Sequence, residues 1–167
     1  MNDLENLIAS AAENAGRLAL ARGAVFATAE SCTAGGVAYA LTQVPGSSAW
    51  VDRGFVVYTN EAKREMLGVS GETLRRFGAV SEQTAKELAV GALERSNATH
   101  AVAVSGIAGP AGAVPGKPVG TVCFGFARRE GDRVSASTET QHFDGDRRAV
   151  REATVLHALC GLAAMLD

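Results

Sequence analysis

Ser31 is the residue whose position in the sequence best suits covalent chemistry. It lies in the segment 28–36, where a predicted buried strand ends and a predicted helix begins. In open α/β folds, ligands bind at the carboxyl ends of the strands, and the free N–H groups at the start of a helix favour an anion or a developing oxyanion. A serine here is placed to act as a nucleophile, with backbone N–H groups nearby to stabilise a tetrahedral intermediate.

The same segment allows two other interpretations. Ser31 or Thr33 can be the N-cap of the helix, because serine and threonine are preferred at that position. Cys32 can compete as the nucleophile, although as one of three scattered cysteines it also fits a small buried residue. Spacing alone leaves all three interpretations open.

A tyrosine and a lysine follow the second predicted strand, 55–59. Tyr58 lies at its carboxyl end, and Lys63 lies on the first turn of the helix that follows. A cation at the start of a helix opposes the helix dipole, and burial also disfavours its charged form. Together, this position and burial would lower the pKa of Lys63, and a neutral lysine can act as general base for a serine. Glu30 and Glu61 are alternative bases, and a solvated lysine is the alternative without chemistry.

Two further segments are candidates for binding a phosphate. The loop 106–118 contains four glycines and three prolines, and glycines let the backbone approach a ligand closely, although neither GxxxxGK[ST] nor GxGxxG occurs in it. Arg147, Arg148 and Arg151 lie at the start of the last predicted helix, and arginine presents a planar fork that suits a phosphate. A structural loop and a solvated helix end are the alternatives.

Hydrophobic periodicity predicts the elements that hold these residues. Helices are predicted over 2–22, 33–42, 61–67, 71–77, 81–96 and from 146 or 147 to the C-terminus, and strands over 24–28, 55–59, 100–105, 119–127 and 134–143. Helices interleaved with strands predict a three-layer α/β/α sandwich. The last two strands are joined by a turn too short for a crossover, so they should be antiparallel. The sheet of about five strands is therefore expected to be mixed and mainly parallel.

Length and composition narrow the class of protein. A chain of 167 residues predicts a single domain over 1–167, and 47% hydrophobic with 20% charged residues is typical of globular proteins. The net charge of −2 gives no general attraction to nucleic acid or to an anionic membrane. Three cysteines without CxxC spacing, and three histidines without ligand spacing, argue against a disulfide framework and a metal site. We therefore expect a cytoplasmic protein with no metal, no cofactor, no nucleic acid and no membrane partner.

The order of these motifs along the chain resembles the C-terminal domain of the competence-inducible protein A (CinA) family. The matching blocks are 29–33, 44–48, 54–63, 78–81, 106–110, 117–121 and 143–147. They extend over nearly the whole chain. Two single residues and one short stretch depart from the family pattern: Ala34, Ser105 and 111–113.

The resemblance implies a metal-independent amidohydrolase that converts nicotinamide mononucleotide and water to nicotinate mononucleotide and ammonia, in pyridine nucleotide recycling. By position, Ser31 corresponds to the nucleophile of the family, and Tyr58 and Lys63 correspond to its accompanying tyrosine and lysine. We expect a homo-oligomer that binds a small nucleotide. The expected substrate-binding residues are Thr33, Gly46, Ser47, Ser48, Ser105, Gly106, Ala108, Gly109, Arg147 and Arg151. The alternative function is a non-catalytic nucleotide-binding or regulatory module, and the joint presence of Ser31, Tyr58 and Lys63 favours the enzyme.

Overall fold

The fold combines six α-helices with a five-stranded sheet in residues 2–167, the part of the chain that the computed structural model describes. In chain order these are α1 (Asp3–Arg22), β1 (Phe26–Glu30), α2 (Gly36–Thr42), β2 (Val51–Val56), α3 (Asn60–Leu67), α4 (Gly71–Phe77), α5 (Glu82–Glu94), β3 (His100–Gly106), β4 (Thr121–Glu130), β5 (Arg133–His142) and α6 (Arg147–Ala164). A short 3₁₀ helix, Ser47–Ala49, precedes β2.

The sheet has the strand order β2-β1-β3-β4-β5. β1 pairs in parallel with both β2 and β3, whereas β4 is antiparallel to β3 and to β5. Four of the five strands therefore run in one direction, and the predicted mixed, mainly parallel sheet is confirmed. The carboxyl ends of β1, β2 and β3 meet at one edge, which is where an open α/β sheet binds its ligands.

Helices cover both faces of the sheet, as the predicted α/β/α sandwich requires. One apolar cluster joins α1, α2 and α6 to the sheet through residues such as Phe26, Phe124 and Leu159. The other joins α4 and α5 to the opposite face through residues such as Ala27 and Leu88. Consecutive residues of a strand point to opposite faces, and every residue of β1 is buried because both faces are covered.

Several predicted elements have the bounds that their local signals gave. α1 ends at Arg22 with Gly23 in the left-handed conformation as its C-cap, and α4 spans Gly71–Phe77 as predicted. Ser81 caps α5 by accepting a hydrogen bond from the backbone N–H of Thr84. In each case a capping residue marks the helix end in the sequence itself.

The ends of β1 and β2 and the start of α2 were predicted wrongly. β1 starts and ends two residues later than predicted, and β2 occupies Val51–Val56, mostly ahead of the predicted 55–59. Backbone pairing between the two strands sets these ends: Glu30, the last residue of β1, pairs with Val56, the last residue of β2. α2 starts at Gly36 and not at residue 33, because Ala34 (φ 48°) and Gly35 (φ 96°) are left-handed and cannot continue a helix.

Candidate active site

A cavity of about 200 Å³ opens at the edge of the sheet where β1, β2 and β3 end. Its walls come from the turn after β1, the start of α3, the segment before α5, the glycine loop after β3 and the start of α6. The lining residues are Ser31, Cys32, Tyr58, Asn60, Lys63, Ala79, Val80, Ser105, Gly106, Ala108 and Arg147. The topology thus gathers all three predicted catalytic residues in one place.

Lys63 contacts Ser31 inside this cavity. Its Nζ lies 3.2 Å from Ser31 Oγ and 2.9 Å from the backbone oxygen of Tyr58. The lysine is only 1% exposed, and within residues 2–167 no carboxylate forms a salt bridge with it. Lysine is almost never fully buried without a charged partner, so its position beside a serine points to chemistry more than to packing.

Burial lowers the pKa of Lys63 below its ordinary value of 10.5, and only the neighbouring Cys32 opposes the shift. Removal from water disfavours the ammonium form relative to the neutral amine. The predicted direction of the pKa shift is therefore confirmed, and burial is its dominant cause. A neutral amine within hydrogen-bond distance of a hydroxyl is a competent general base.

The turn that carries Ser31 is not capped as the alternative interpretation expected. Gly35 is the N-cap residue of α2 and provides no side-chain hydrogen bond. The N–H groups of Val37 and Ala38 instead donate to the carboxylate of Glu30, over 2.8 and 3.0 Å. Because Glu30 occupies these donors, they are not free to stabilise an oxyanion, and the prediction that the start of α2 supplies such groups is corrected.

Tyr58 touches the site through two different atoms. Its backbone oxygen accepts the hydrogen bond from Lys63, whereas its hydroxyl lies 3.4 Å from Nη2 of Arg147. The side chain is 57% exposed. The hydroxyl therefore lies at the mouth of the cavity and not between Ser31 and Lys63.

Arg147 brings a positive charge to the same mouth. Its Nη1 donates to the backbone oxygen of Gly109, over 2.9 Å. Within residues 2–167 it forms no salt bridge with a carboxylate, so its charge remains available for an anion. Arg147 and the glycine loop, predicted separately as phosphate-binding segments, thus lie side by side.

The glycine loop is held close to the sheet. A Cβ on Gly106 would lie 2.7 Å from Cγ2 of Val122 and 3.0 Å from the backbone oxygen of Thr121, so no larger residue fits there without a shift. Ser105 is buried and donates from Oγ to the backbone oxygen of Ala79, over 2.8 Å. This bond ties the end of β3 to the cavity wall before α5.

Thr33 and Arg151 lie on the far side of the Ser31 turn. They line a larger groove of about 690 Å³ between α1, α2 and α6, which contains neither Ser31 nor Lys63. Oγ1 of Thr33 donates to Glu30 over 2.6 Å, and Nε of Arg151 donates to the backbone oxygen of Cys32 over 3.1 Å. Both residues therefore support the turn from behind, and their predicted contact with substrate in the cavity is corrected.

Gly46, Ser47 and Ser48 lie at the opposite edge of the sheet. They precede β2, and Trp50, the next residue but one, accepts a hydrogen bond from the N–H of Phe26 at the start of β1. β1 separates the two edges by its five residues, which is about 16 Å of strand. A loop ahead of a parallel strand cannot lie at the carboxyl edge. Within one chain, the predicted substrate contacts of Gly46, Ser47 and Ser48 in this cavity are therefore corrected.

The rival catalytic groups are poorly placed. Burial raises the pKa of the Cys32 thiol to about 11, which keeps it protonated and weakly nucleophilic. The Glu30 carboxylate already accepts hydrogen bonds from two hydroxyls and two backbone N–H groups. Glu61 is exposed on α3 and does not line the cavity.

Sequence reasoning missed part of the cavity wall. Ala79 and Val80 line it, and a signal for them existed, because the block 78–81 matches the family pattern and immediately precedes the N-cap of α5. The role of Glu30 was also missed, since a carboxylate at the end of a buried strand was considered only as a base.

Residues 2–167 contain neither a cluster of side chains suited to a metal ion nor a helix suited to span a membrane. No group of three or more His, Cys, Asp or Glu side chains in this part of the chain is arranged to hold a metal ion. None of its helices combines the length and apolar character that crossing a membrane requires.

Comparison with known proteins adds independent information. The family model of the CinA C-terminal domain matches residues 8–166. The nicotinamide-nucleotide amidohydrolase PncC of Escherichia coli (strain K12) is 52% identical over 147 residues, covering 88% of this chain and 87% of that protein. A putative competence-damage inducible protein of Symbiobacterium thermophilum is 55% identical over 149 residues, which are 86% of this chain but 35% of the longer protein. The crystal structure of the competence/damage inducible protein CihA from Agrobacterium tumefaciens is similar with a TM-score of 0.90 and 50% identity, covering 96% of each chain.

Proposed function

The chain belongs to the family of the CinA C-terminal domain, and we propose that it is a nicotinamide-nucleotide amidohydrolase, converting nicotinamide mononucleotide and water to nicotinate mononucleotide and ammonia. Relatives that bear this activity in their names are about half identical to it over most of their length. The observation that carries the proposal is the 3.2 Å contact between Lys63 Nζ and Ser31 Oγ in a cavity at the carboxyl edge of the sheet.

We propose a two-step serine mechanism. Neutral Lys63 accepts the hydroxyl proton of Ser31 while Oγ forms a bond to the carboxamide carbon. The protonated lysine then passes that proton to the amide nitrogen, the C–N bond breaks, and ammonia leaves an acyl-enzyme. A water molecule, deprotonated by the same lysine, attacks the ester carbon. Lys63 then returns this proton to Oγ of Ser31 as the ester C–O bond breaks, and the carboxylic acid product releases one proton to solvent and leaves as the carboxylate.

The remaining cavity residues suit recognition of the nucleotide. A cavity of about 200 Å³ receives the nicotinamide end, and Arg147 at its mouth is placed to pair with the phosphate. A bidentate arginine–phosphate contact is strong and directional. Ser105, Gly106, Ala108 and Gly109 form the wall beside it, while Tyr58 covers the mouth and holds Lys63 through its backbone oxygen.

We also infer the setting in which the enzyme works. Three free cysteines in residues 2–167 fit a reducing cytoplasm. The two apolar clusters share one sheet, which supports a single domain over 1–167. Exposed apolar side chains such as Leu20 and Tyr39 provide surface for a homo-oligomer.

The test is deamidation by the purified protein. Nicotinamide mononucleotide is incubated with it, and ammonia and nicotinate mononucleotide are measured together, with free nicotinamide as a parallel substrate. We expect the two products in equal amounts and a higher kcat/KM for the nucleotide. Binding of the nucleotide without ammonia release would contradict the proposal and support the non-catalytic nucleotide-binding module.

A further inference from the structure

Glu30 is a buried carboxylate next to the nucleophile that the mechanism above does not use. It is the last residue of β1 and only 1% exposed. No arginine, lysine or histidine within residues 2–167 forms a salt bridge with it. A buried acid without a cationic partner needs several hydrogen bonds to be tolerated, and the identity of its donors indicates its role.

Four donors saturate the carboxylate. Oε1 accepts from Oγ1 of Thr33 over 2.6 Å and from the N–H of Val37 over 2.8 Å. Oε2 accepts from Oγ1 of Thr28 and from the N–H of Ala38, each at a distance of 3.0 Å. An ionised carboxylate has about four acceptor positions, so none remains for the hydroxyl of Ser31. Glu30 therefore does not act as the base in this arrangement.

The four donors come from three consecutive parts of the chain. Thr28 belongs to β1, Thr33 to the turn after it, and Val37 and Ala38 to the first turn of α2. The carboxylate thus fixes the end of the strand, the turn and the start of the helix relative to one another. Ser31 lies inside the segment that these contacts enclose.

The enclosed turn needs such support because its backbone is strained. Ala34 has φ 48°, in the left-handed region that non-glycine residues seldom adopt. Strain of this kind costs on the order of 1–3 kcal/mol and persists only where surrounding contacts enforce it. Gly35 contributes no side-chain cap, so Glu30 performs that task from six residues before α2.

We propose that Glu30 is a positioning residue that holds the Ser31 hydroxyl at attacking distance by clamping the turn between β1 and α2. The inference deepens the proposed function and rests on it for the kinetic readout. Glutamine at this position would direct an NH₂ group at two of the four donors, and aspartate would be one methylene too short to span strand and helix. Either change should let the turn carry Ser31 away from Lys63, while Lys63 keeps its hydrogen bond to the backbone oxygen of Tyr58.

The test compares E30Q and E30D with the wild-type enzyme in kcat, KM, pH profile and melting temperature. We expect kcat for nicotinamide mononucleotide to fall about 100-fold, the loss typical of a misplacement near 1 Å. KM should change by less than about threefold, and the apparent pKa of the kcat profile should stay where it is, because Lys63 remains the base. A folded E30Q enzyme with wild-type kcat, or one whose pH profile loses its base, would overturn the inference.

Glu82 provides a matched control. Its carboxylate also lies at the start of a helix and accepts from two threonine hydroxyls, Thr138 over 2.8 Å and Thr140 over 2.6 Å. E82Q should lower the melting temperature yet keep kcat within about twofold of wild type. An equal kcat loss in E82Q and E30Q would show a general loss of stability and contradict positioning.

Two further measurements cover failed folding and a failed substrate. If E30Q and E30D do not fold, T28V and T33V each remove one donor and should lower kcat about fivefold, the equivalent of one hydrogen bond; unchanged kcat in both contradicts the inference. Sulfonylation of Ser31 by phenylmethylsulfonyl fluoride needs no nucleotide: Oγ bonds to sulfur, fluoride leaves, and the proton passes to Lys63. Slower labelling in E30Q supports positioning even if the wild-type enzyme does not deamidate nicotinamide mononucleotide, whereas equal labelling rates refute it.

Discussion

At the scale of single residues, Lys63 is the side chain whose surroundings are hardest to explain without a function. It is fully buried, its Nζ contacts a serine hydroxyl and a backbone oxygen, and burial lowers its pKa. A buried ammonium without a carboxylate partner destabilises a fold. The cost is understandable if the neutral amine is needed to activate Ser31, since a serine hydroxyl is a weak nucleophile at neutral pH.

Lys63→Arg should therefore lower kcat by about 10²–10⁴-fold, because arginine keeps the charge but cannot accept a proton at accessible pH. In the wild-type enzyme kcat should rise with pH, since raising pH through the lowered pKa of Lys63 increases the fraction of neutral amine. The measurement is kcat from ammonia release, at pH values from about 6 to about 10. Lys86→Arg, on an exposed residue of α5, is the control. A K63R enzyme with most of the wild-type kcat would show that the lysine acts only through its charge.

Arg147 should determine the preference for a nucleotide over free nicotinamide. Arg147→Gln removes a charge-assisted contact to phosphate worth about 1.5–3 kcal/mol, so KM for nicotinamide mononucleotide should rise about 10- to 100-fold while kcat/KM for nicotinamide stays unchanged. Arg148→Gln is the matched control, since Arg148 is exposed and paired with Glu5 and Glu152. Equal KM values for R147Q and R148Q would remove Arg147 from the proposed phosphate site.

The residues that sequence could identify differ from those it could not for a physical reason. Ser31, Tyr58 and Lys63 occur in blocks that match the family in type and order, although each had a plain structural alternative on spacing alone. Glu30 could not be recognised as the support of the turn, because its donors Val37 and Ala38 lie seven and eight residues further along the chain. Such a contact depends on the conformation of the turn, and that conformation cannot be predicted from the residue types alone.

At the scale of elements, helix ends were predicted better than strand ends. Gly23, Ser81 and Asp146 cap their helices through local bonds that can be read from a few residues. The ends of β1 and β2 depend on which backbone groups find partners in neighbouring strands, and those partners are distant in sequence. The start of α2 was predicted too early because Ala34 and Gly35 lie in a stretch whose residue pattern looks helical, whereas their backbone is left-handed.

Gly125 controls how closely α5 packs on β4. A Cβ at this position would lie 2.2 Å from the backbone oxygen of Ala85 on α5, so Gly125→Ala must push the helix away from the sheet. We expect a loss of at least about 1–3 kcal/mol in the free energy of unfolding, as for other overpacked cores. Chemical denaturation measures it.

The control for Gly125→Ala is Gly71→Ala, at the first residue of α4. There the added Cβ would come no closer than 3.4 Å to Cζ of Arg64, and alanine favours a helix by roughly 0.5–1 kcal/mol. We expect G71A to be as stable as the wild-type protein or slightly more stable. A G125A protein with unchanged stability would mean that α5 is not held against β4 at this point.

At the scale of the whole molecule, the parallel arrangement of β1, β2 and β3 builds the site. Each strand delivers the segment that follows it to the same edge: the Ser31 turn, the Tyr58–Lys63 segment and the glycine loop. The fold class predicted from the sequence already implied this gathering. Gly46, Ser47 and Ser48 lie outside the cavity because they precede β2, and only segments that follow a parallel strand reach this edge. The strand order needed to reach that conclusion was not evident from the sequence.

The enzyme should work without a metal ion. The proposed steps use a serine, a lysine and water, and within residues 2–167 no cluster of three potential ligands is arranged around a common point. Deamidation should therefore be unchanged after dialysis against EDTA, measured beside an undialysed sample. A loss of activity that added zinc or magnesium restores would contradict this prediction and require a different way of activating the nucleophile.

The central claim is that Ser31 attacks the carboxamide of nicotinamide mononucleotide, and ammonia release by S31A and C32A measures it most directly. Both proteins should fold, as judged by melting temperature. We predict that S31A loses at least about 1000-fold in kcat, whereas C32A keeps more than about a tenth of it, since burial holds the Cys32 thiol protonated with a pKa of about 11. A folded S31A protein that still releases ammonia, with C32A inactive, would contradict the claim and transfer the nucleophile to Cys32.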